Sequence, residues 1–153
     1  MNSTLNKWDV GSQQIEVNDE DLDISFRVLI QYPAEPSQLL KIGPYTMDMS
    51  ENAEIIPEKF PLVLLSHGNG GSHFIYHTIT TYIVKNGYIV AMVEHYGNNR
   101  NDNHLENSAE NLVNRPRHIK RTIDKLLSAN CFGKNIDDSK SLSLVIPWED
   151  IPL

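Results

Sequence analysis

A continuously apolar run, Leu62-Val63-Leu64-Leu65, leads straight into Ser66-His67-Gly68-Asn69-Gly70-Gly71-Ser72, and this junction restricts the fold more than any other feature. A strand with one wet face alternates apolar and polar residues. One that does not alternate is buried on both faces, as in a parallel sheet. After the glycines, Phe74, Ile75, Thr78, Ile79, Tyr82 and Ile83 recur at helical spacing, Gly87 stops the helix, and a second apolar run occupies residues 88–93. Strand, turn, helix and strand in that order form a βαβ unit, whose crossover is right-handed and whose strands are parallel.

The rest of the chain divides around that unit. Residues 12–33 mix β-branched, aromatic and polar residues in near-alternation, which predicts antiparallel strands over 13–17 and 24–32, closed by Pro33. Residues 34–60 are rich in Pro, Ser, Glu and Asn without a sustained period, and read as a surface connection. The βαβα portion runs over 61–140. Its second helix, over 108–129, carries Leu112, Ile119, Ile123, Leu126 and Leu127 at helical spacing, with Ser108 placed to cap and Pro116 placed to kink or restart it. Asp137–Lys140 is expected as a turn and 141–146 as a third parallel strand. The fold class is α/β, with antiparallel strands first and a mostly parallel sheet after them. At 153 residues the chain has room for a single domain or part of one.

Charge and composition exclude several function classes. A net charge of −7 argues against nucleic acid or an anionic membrane as partner, because phosphates need clustered Lys and Arg. The cluster Arg115, Arg117, Lys120 and Arg121 is read as a solvated helix face. Cys131 is the single cysteine, so an internal disulfide and zinc spacing are both ruled out, and neither a metal nor another cofactor is expected. The polar start of the chain lacks a secretory apolar segment and no run approaches the ~20 apolar residues of a membrane span, so a cytoplasmic location is expected.

Ligands of open α/β sheets bind at the carboxyl ends of the parallel strands, where 66–72 lies. Glycines at 68, 70 and 71 let amides approach an anion or an oxyanion, and the helix that follows favours negative charge. A phosphate loop would require Gly-Lys-Ser/Thr or a third glycine where His73 stands. A tight turn with no ligand is the bland alternative. His73 and His77 are spaced to share a helix face, yet a zinc site needs further ligands, so packing or solvent-facing roles suit them.

The stretch from Phe60 to Gly71, the segment Asn86-Gly87-Tyr88-Ile89-Val90-Ala91-Met92-Val93-Glu94-His95, and Asn114-Arg115-Pro116 with Asp124 together resemble the platelet-activating-factor acetylhydrolase and dienelactone-hydrolase-like branch of the α/β-hydrolases, over roughly 26–140. The resemblance implies an incomplete α/β-hydrolase fold and a serine-esterase function on small-molecule carboxylic esters. It also implies that the backbone N–H of Asn69 is one oxyanion-hole donor, within a loop formed with His67, Gly68, Gly70 and Gly71. Glu94 and His95 end a strand at the rim and are candidate lining residues.

The same resemblance predicts a strand after Asp137 that enters Gly-x-Ser-x-Gly. The chain instead continues Ser141-Leu142-Ser143-Leu144-Val145-Ile146-Pro147-Trp148-Glu149-Asp150-Ile151-Pro152-Leu153. Restoring one A after the Lys140 codon lets permitted codons read Ile-Ser-Val-Ile-Gly-His-Ser-Met-Gly-Gly, a β-branched strand running into the elbow. Residues 141–153 are therefore expected to be a frameshifted tail, leaving a truncated hydrolase without nucleophile or triad and with a sheet edge uncovered. Two further expectations stand beside this one: a non-catalytic binding module, and one half of an enzyme completed by a separately encoded C-terminal half.

Overall fold

The computed structural model describes residues 7–74 and 76–145. In chain order the elements are β1 (Asp9–Asp19), β2 (Ile24–Ala34), β3 (Lys41–Ile42), β4 (Tyr45–Thr46), β5 (Ser50–Glu51), β6 (Phe60–Ser66), α1 (His77–Lys85), β7 (Ile89–Val93), α2 (Ala109–Leu127) and β8 (Ile136–Val145). Six strands make one sheet in the order β5-β1-β2-β7-β6-β8, and β3 with β4 forms a separate hairpin. β1 and β2 are antiparallel along their whole length, from Asp9 opposite Ala34 to Asp19 opposite Ile24, while β7, β6 and β8 are parallel. The α/β architecture with leading antiparallel strands is the one the periodicities predict.

Period-2 geometry sorts the strand residues onto two faces. Phe26, Val28, Ile30, Leu62, Leu64, Ile89, Ala91 and Val93 join Leu126 of α2 in one core; Leu29, Val63, Leu65, Val90 and Met92 join Val84 of α1 in the other. The unalternating runs at β6 and β7 thus serve two cores at once. Residues 34–60, expected as a surface connection, carry three short strands and also send Met49, Ala53 and Ile56 into the interior.

Three local expectations need correction. The first helix begins at His77 rather than near Phe74, and it turns Thr80, Thr81 and Val84 inward while Ile79 and Tyr82 face solvent. The cause is Gln31, wholly buried on that side of the sheet, whose amide donates to Thr81 Oγ1 at 3.2 Å. The second helix is capped by Ser108, which accepts from the Asn111 amide at 3.1 Å, but it passes through Pro116 without a break. The carbonyl that Pro116 leaves without a helical donor belongs to Leu112, a residue 75% exposed. Leu112 is therefore on the outer face, and Asn111, Asn114, His118 and Thr122 face inward.

The turn expected at Asp137–Lys140 is instead a bulge within β8. Pro61 pairs with Asp137 and Val63 with Leu142, so residues 138–141 stand opposite Leu62 alone. Pro61 has no N–H to give to a regular ladder, and the backbone N–H and hydroxyl of Ser139 bend back to donate to Asp137 Oδ1 at 3.2 and 2.6 Å. Beyond the bulge β8 runs parallel to β6 as far as Val145 opposite Ser66, as expected of a third parallel strand; residues 146–153 of the expected tail lie outside the described residues.

Candidate functional site

The carboxyl ends of β6 and β7 meet the start of α2 in a network of buried polar groups. Ser66, His67, Glu94, His95, Asn98 and His118 are each at most 4% exposed. Groups buried this deeply must find partners within the protein, and their partners define the site.

His67 closes the root of the loop. Its Nε2 accepts from the His95 backbone N–H at 3.1 Å, which places the proton on Nδ1, and Nδ1 donates to the Gly68 carbonyl at 2.7 Å. That assignment requires a neutral ring, and burial pushes the His67 pKa down to about 4. Gly71 N–H donates to the same Gly68 carbonyl at 3.1 Å, so one oxygen holds both ends of the turn. Gly70 sits at φ +62°, where a glycine is the least strained residue.

Asn69 is held through its side chain at both ends. Its Oδ1 accepts from Asn98 Nδ2, and its Nδ2 donates to Glu106 at 2.7 Å. Its backbone N–H donates to no described residue, whereas the side-chain anchors fix the peptide that carries it. A fixed, unspent N–H at the carboxyl end of a parallel strand is what an oxyanion donor requires.

Arg115 ties these pieces to α2. One terminal nitrogen donates to Ser66 Oγ at 3.0 Å and to the His67 carbonyl, and the other donates to Asn98 Oδ1 at 2.6 Å. Arg117 and Arg121 form ion pairs with Asp19 and Asp21. The reading of this basic cluster as a solvated face is corrected for these three residues; Lys120, paired with Asp124, does face solvent. The sequence singles out Arg115 only within the Asn114-Arg115-Pro116 match and gives it no role, because its partners lie 17 to 49 residues away.

His95 lies wholly buried beneath the loop. Its Nε2 contacts Ser66 Oγ at 2.6 Å and its Nδ1 contacts His118 Nδ1 at 3.0 Å. Ser66 Oγ accepts from Arg115 and still has a lone pair and a hydrogen to share with His95 Nε2. The series can therefore donate from Ser66 towards His118 or in reverse, and in either sense His118 Nε2 is left without a partner among the described residues. The order serine, histidine, histidine has a nucleophile's bonding pattern, but Ser66 is 2% exposed and cannot meet a substrate. Glu94 is also inside, accepting from Arg27 Nε at 2.6 Å, with His73 at 3.4 Å. Glu94 and His95 thus support the rim from below. His73 precedes α1 and His77 opens it, so the two share no helix face. Among the described residues no three His, Cys, Asp or Glu side chains converge as metal ligands, and no helix is long and apolar enough to cross a membrane.

The solved ferulic acid esterase from Streptomyces cinnamoneus superposes with a TM-score of 0.74 at 18% identity, over 89% of this chain and 51% of that one. A mutant of esterase Est22 superposes with a TM-score of 0.55 at 16% identity, over 93% of this chain and 36% of that one. At such identities the likeness is one of fold, and the chain spans about half the length of the first and about a third of the second. No curated protein matches the chain. The family model described as platelet-activating factor acetylhydrolase, isoform II matches residues 30–125, which include the loop, both of its supporting strands and Arg115. The chain belongs to the platelet-activating factor acetylhydrolase isoform II family.

Proposed function

We propose that this chain forms the oxyanion-binding half of a carboxylic-ester hydrolase. In the complete catalytic unit a serine attacks the ester carbonyl, a histidine takes its proton, an acid orients that histidine, and the Asn69 N–H receives charge on the carbonyl oxygen as the acyl-enzyme forms. The observation that carries this reading is the Asn69 N–H, which has no partner among the described residues and sits in a loop whose side chains, turn and roots are bonded down. Esterase structures share the fold, which supports the class of reaction without naming a substrate.

The nucleophile belongs just past β8. Val145 is paired with Ser66, so a strand continued in the restored frame emerges beside the oxyanion loop. That frame supplies Gly-His-Ser-Met-Gly at this level, a motif that residues 141–153 as written do not carry. The gene sequence and a fluorophosphonate labelling assay test this together. The expected result is an overlapping frame encoding the elbow, no labelling of the present chain, and labelling once the frame is restored. Labelling of the present chain, or a gene without such a frame, refutes it.

A second reading, a two-chain enzyme, is favoured by the position of β8 on the outer side of the sheet, where it can pair with a further strand. A downstream reading frame carrying an acid and a histidine, whose product co-purifies with this chain, supports that form over the frameshifted one.

A further inference from the structure

Beside the oxyanion loop lies a groove of about 540 Å³, lined by Gly70, Gly71, Ser72, Phe74, His77 and Arg100. Its aromatic wall is a stacked pair: the Phe74 and His77 rings lie 5.2 Å apart with 24° between their planes. Among these described lining residues the permanent cation is Arg100, whose backbone N–H donates to the Gly71 carbonyl at 2.7 Å and so ties its position to the loop. The Arg100 side chain is exposed, and among the described residues no carboxylate pairs with it. The two acids of its own loop, Asp102 and Glu106, are engaged by His104 and Asn69, each at 2.7 Å. In a chain of net charge −7, an arginine with no carboxylate partner among the described residues, at the lip of an aromatic groove, needs a reason.

We propose that this groove is a subsite for aromatic carboxylates, with Arg100 taking the carboxylate and the Phe74 and His77 rings taking the aromatic group. It rests on the ester-hydrolase reading for its place in catalysis, and there it names the substrate class: esters whose acyl or alcohol part is an aromatic group bearing a carboxylate. The planar guanidinium fork matches a carboxylate through two parallel hydrogen bonds. A flat ring added to an existing stack gains offset or edge contact without a new pocket. A singly charged carboxylate also meets less repulsion from an acidic chain than a doubly charged phosphate does. Gly70 and Gly71 keep the wall next to Asn69 free of side chains, which leaves room there for the rest of the ester.

Binding to the intact chain tests this without any turnover. Amide shifts of the ¹⁵N-labelled protein are titrated with 3-phenylpropionate, with its neutral isostere 3-phenylpropanamide, with acetate and with phenyl phosphate. The expected result is binding of 3-phenylpropionate with shifts at Gly70, Gly71 and Arg100, and weaker binding of the amide by about fivefold. Acetate leaves those signals unmoved. Arg100→Ala abolishes the preference for carboxylate over amide, Arg100→Lys restores part of it, and Phe74→Leu weakens both ligands. Equal binding of the acid and the amide to the unaltered chain overturns the proposal, as do shifts clustered away from the groove. Tighter binding of phenyl phosphate overturns the choice of carboxylate. Failure of the esterase reading shows separately, as a restored-frame chain that fluorophosphonate does not label.

Discussion

Arg115, in the second turn of α2, donates to the Ser66 hydroxyl at 3.0 Å across a separation of 49 residues. With its bonds to the His67 carbonyl and Asn98, it joins the ends of β6 and β7 to a helix on the far side of the loop. Arg115→Ala removes charge-assisted bonds and leaves buried acceptors unpaired, which predicts a loss of about 2–4 kcal/mol. Urea denaturation measures the loss. Arg115→Lys reaches one acceptor rather than three, so it recovers less than half; full recovery by lysine contradicts a clamp built on the guanidinium fork.

The buried histidines predict acid sensitivity. Burial pushes His67 and His118 down from 6.5 to about 4, and it also holds His95 well below its usual value. Each ring binds a proton more weakly folded than unfolded, so its contribution is complete above about pH 6.5, declines as pH falls from there to about 4, and is spent below that. His67 and His118 alone give a slope of up to about 2.7 kcal/mol per pH unit in the steep part, and His95 and His73, also lowered by burial, add to it. Melting temperatures between pH 8 and 4 should fall accordingly, and His118→Phe, which keeps the ring beside Phe26, should lower the slope by one proton. A flat profile over that range rules the assignment out.

A second acid response comes from Asp19. Its carboxylate is wholly buried at the end of β1, and the Arg117 guanidinium, with Arg121 beside it, holds its pKa far below the usual carboxylate range. That stabilisation is present above about pH 4 and is lost only as pH falls through the lowered value, under the histidine range. Asp19→Asn keeps the shape but deletes the charge, and should cost about 3 kcal/mol at pH 7. Equilibrium unfolding checks the value. A cost under 1 kcal/mol means Arg117 finds Asp21 enough.

Much of the fold was legible because it follows from period. The apolar runs at 62–65 and 88–93 predicted two-face burial, and the alternation at 24–32 predicted β2. Where polar residues decide orientation, periodicity misled. Gln31 selects Thr81 rather than Ile79 for the sheet, and the strand-end network draws Asn111, Asn114 and His118 inward while Leu112 and Val113 stay outside. The loop itself was readable from its glycines. Arg115, Asn98 and His118 were not, because their roles depend on contacts across 17 to 49 residues that no local pattern encodes.

The two adjacent loop glycines should fail differently. Gly70 has φ +62° and open space, its nearest neighbour to an added Cβ being Asn103 Nδ2 at 3.5 Å. Gly70→Ala therefore meets only the backbone penalty of about 1–2 kcal/mol. Gly71 has no such conformational demand, but an added Cβ stands 3.0 Å from the Gly68 carbonyl oxygen and 3.1 Å from His67 Nδ1. That oxygen accepts from both Gly71 N–H and His67 Nδ1, so Gly71→Ala must displace the point on which the turn closes. Displacing His67 also disturbs its Nε2, the acceptor for the His95 amide. The His95 amide resonance, distant in sequence from both substitutions, should move in Gly71→Ala and hold in Gly70→Ala. If it holds in both, His67 does not couple the loop to β7, and the oxyanion donor is positioned by Asn69's side-chain bonds alone.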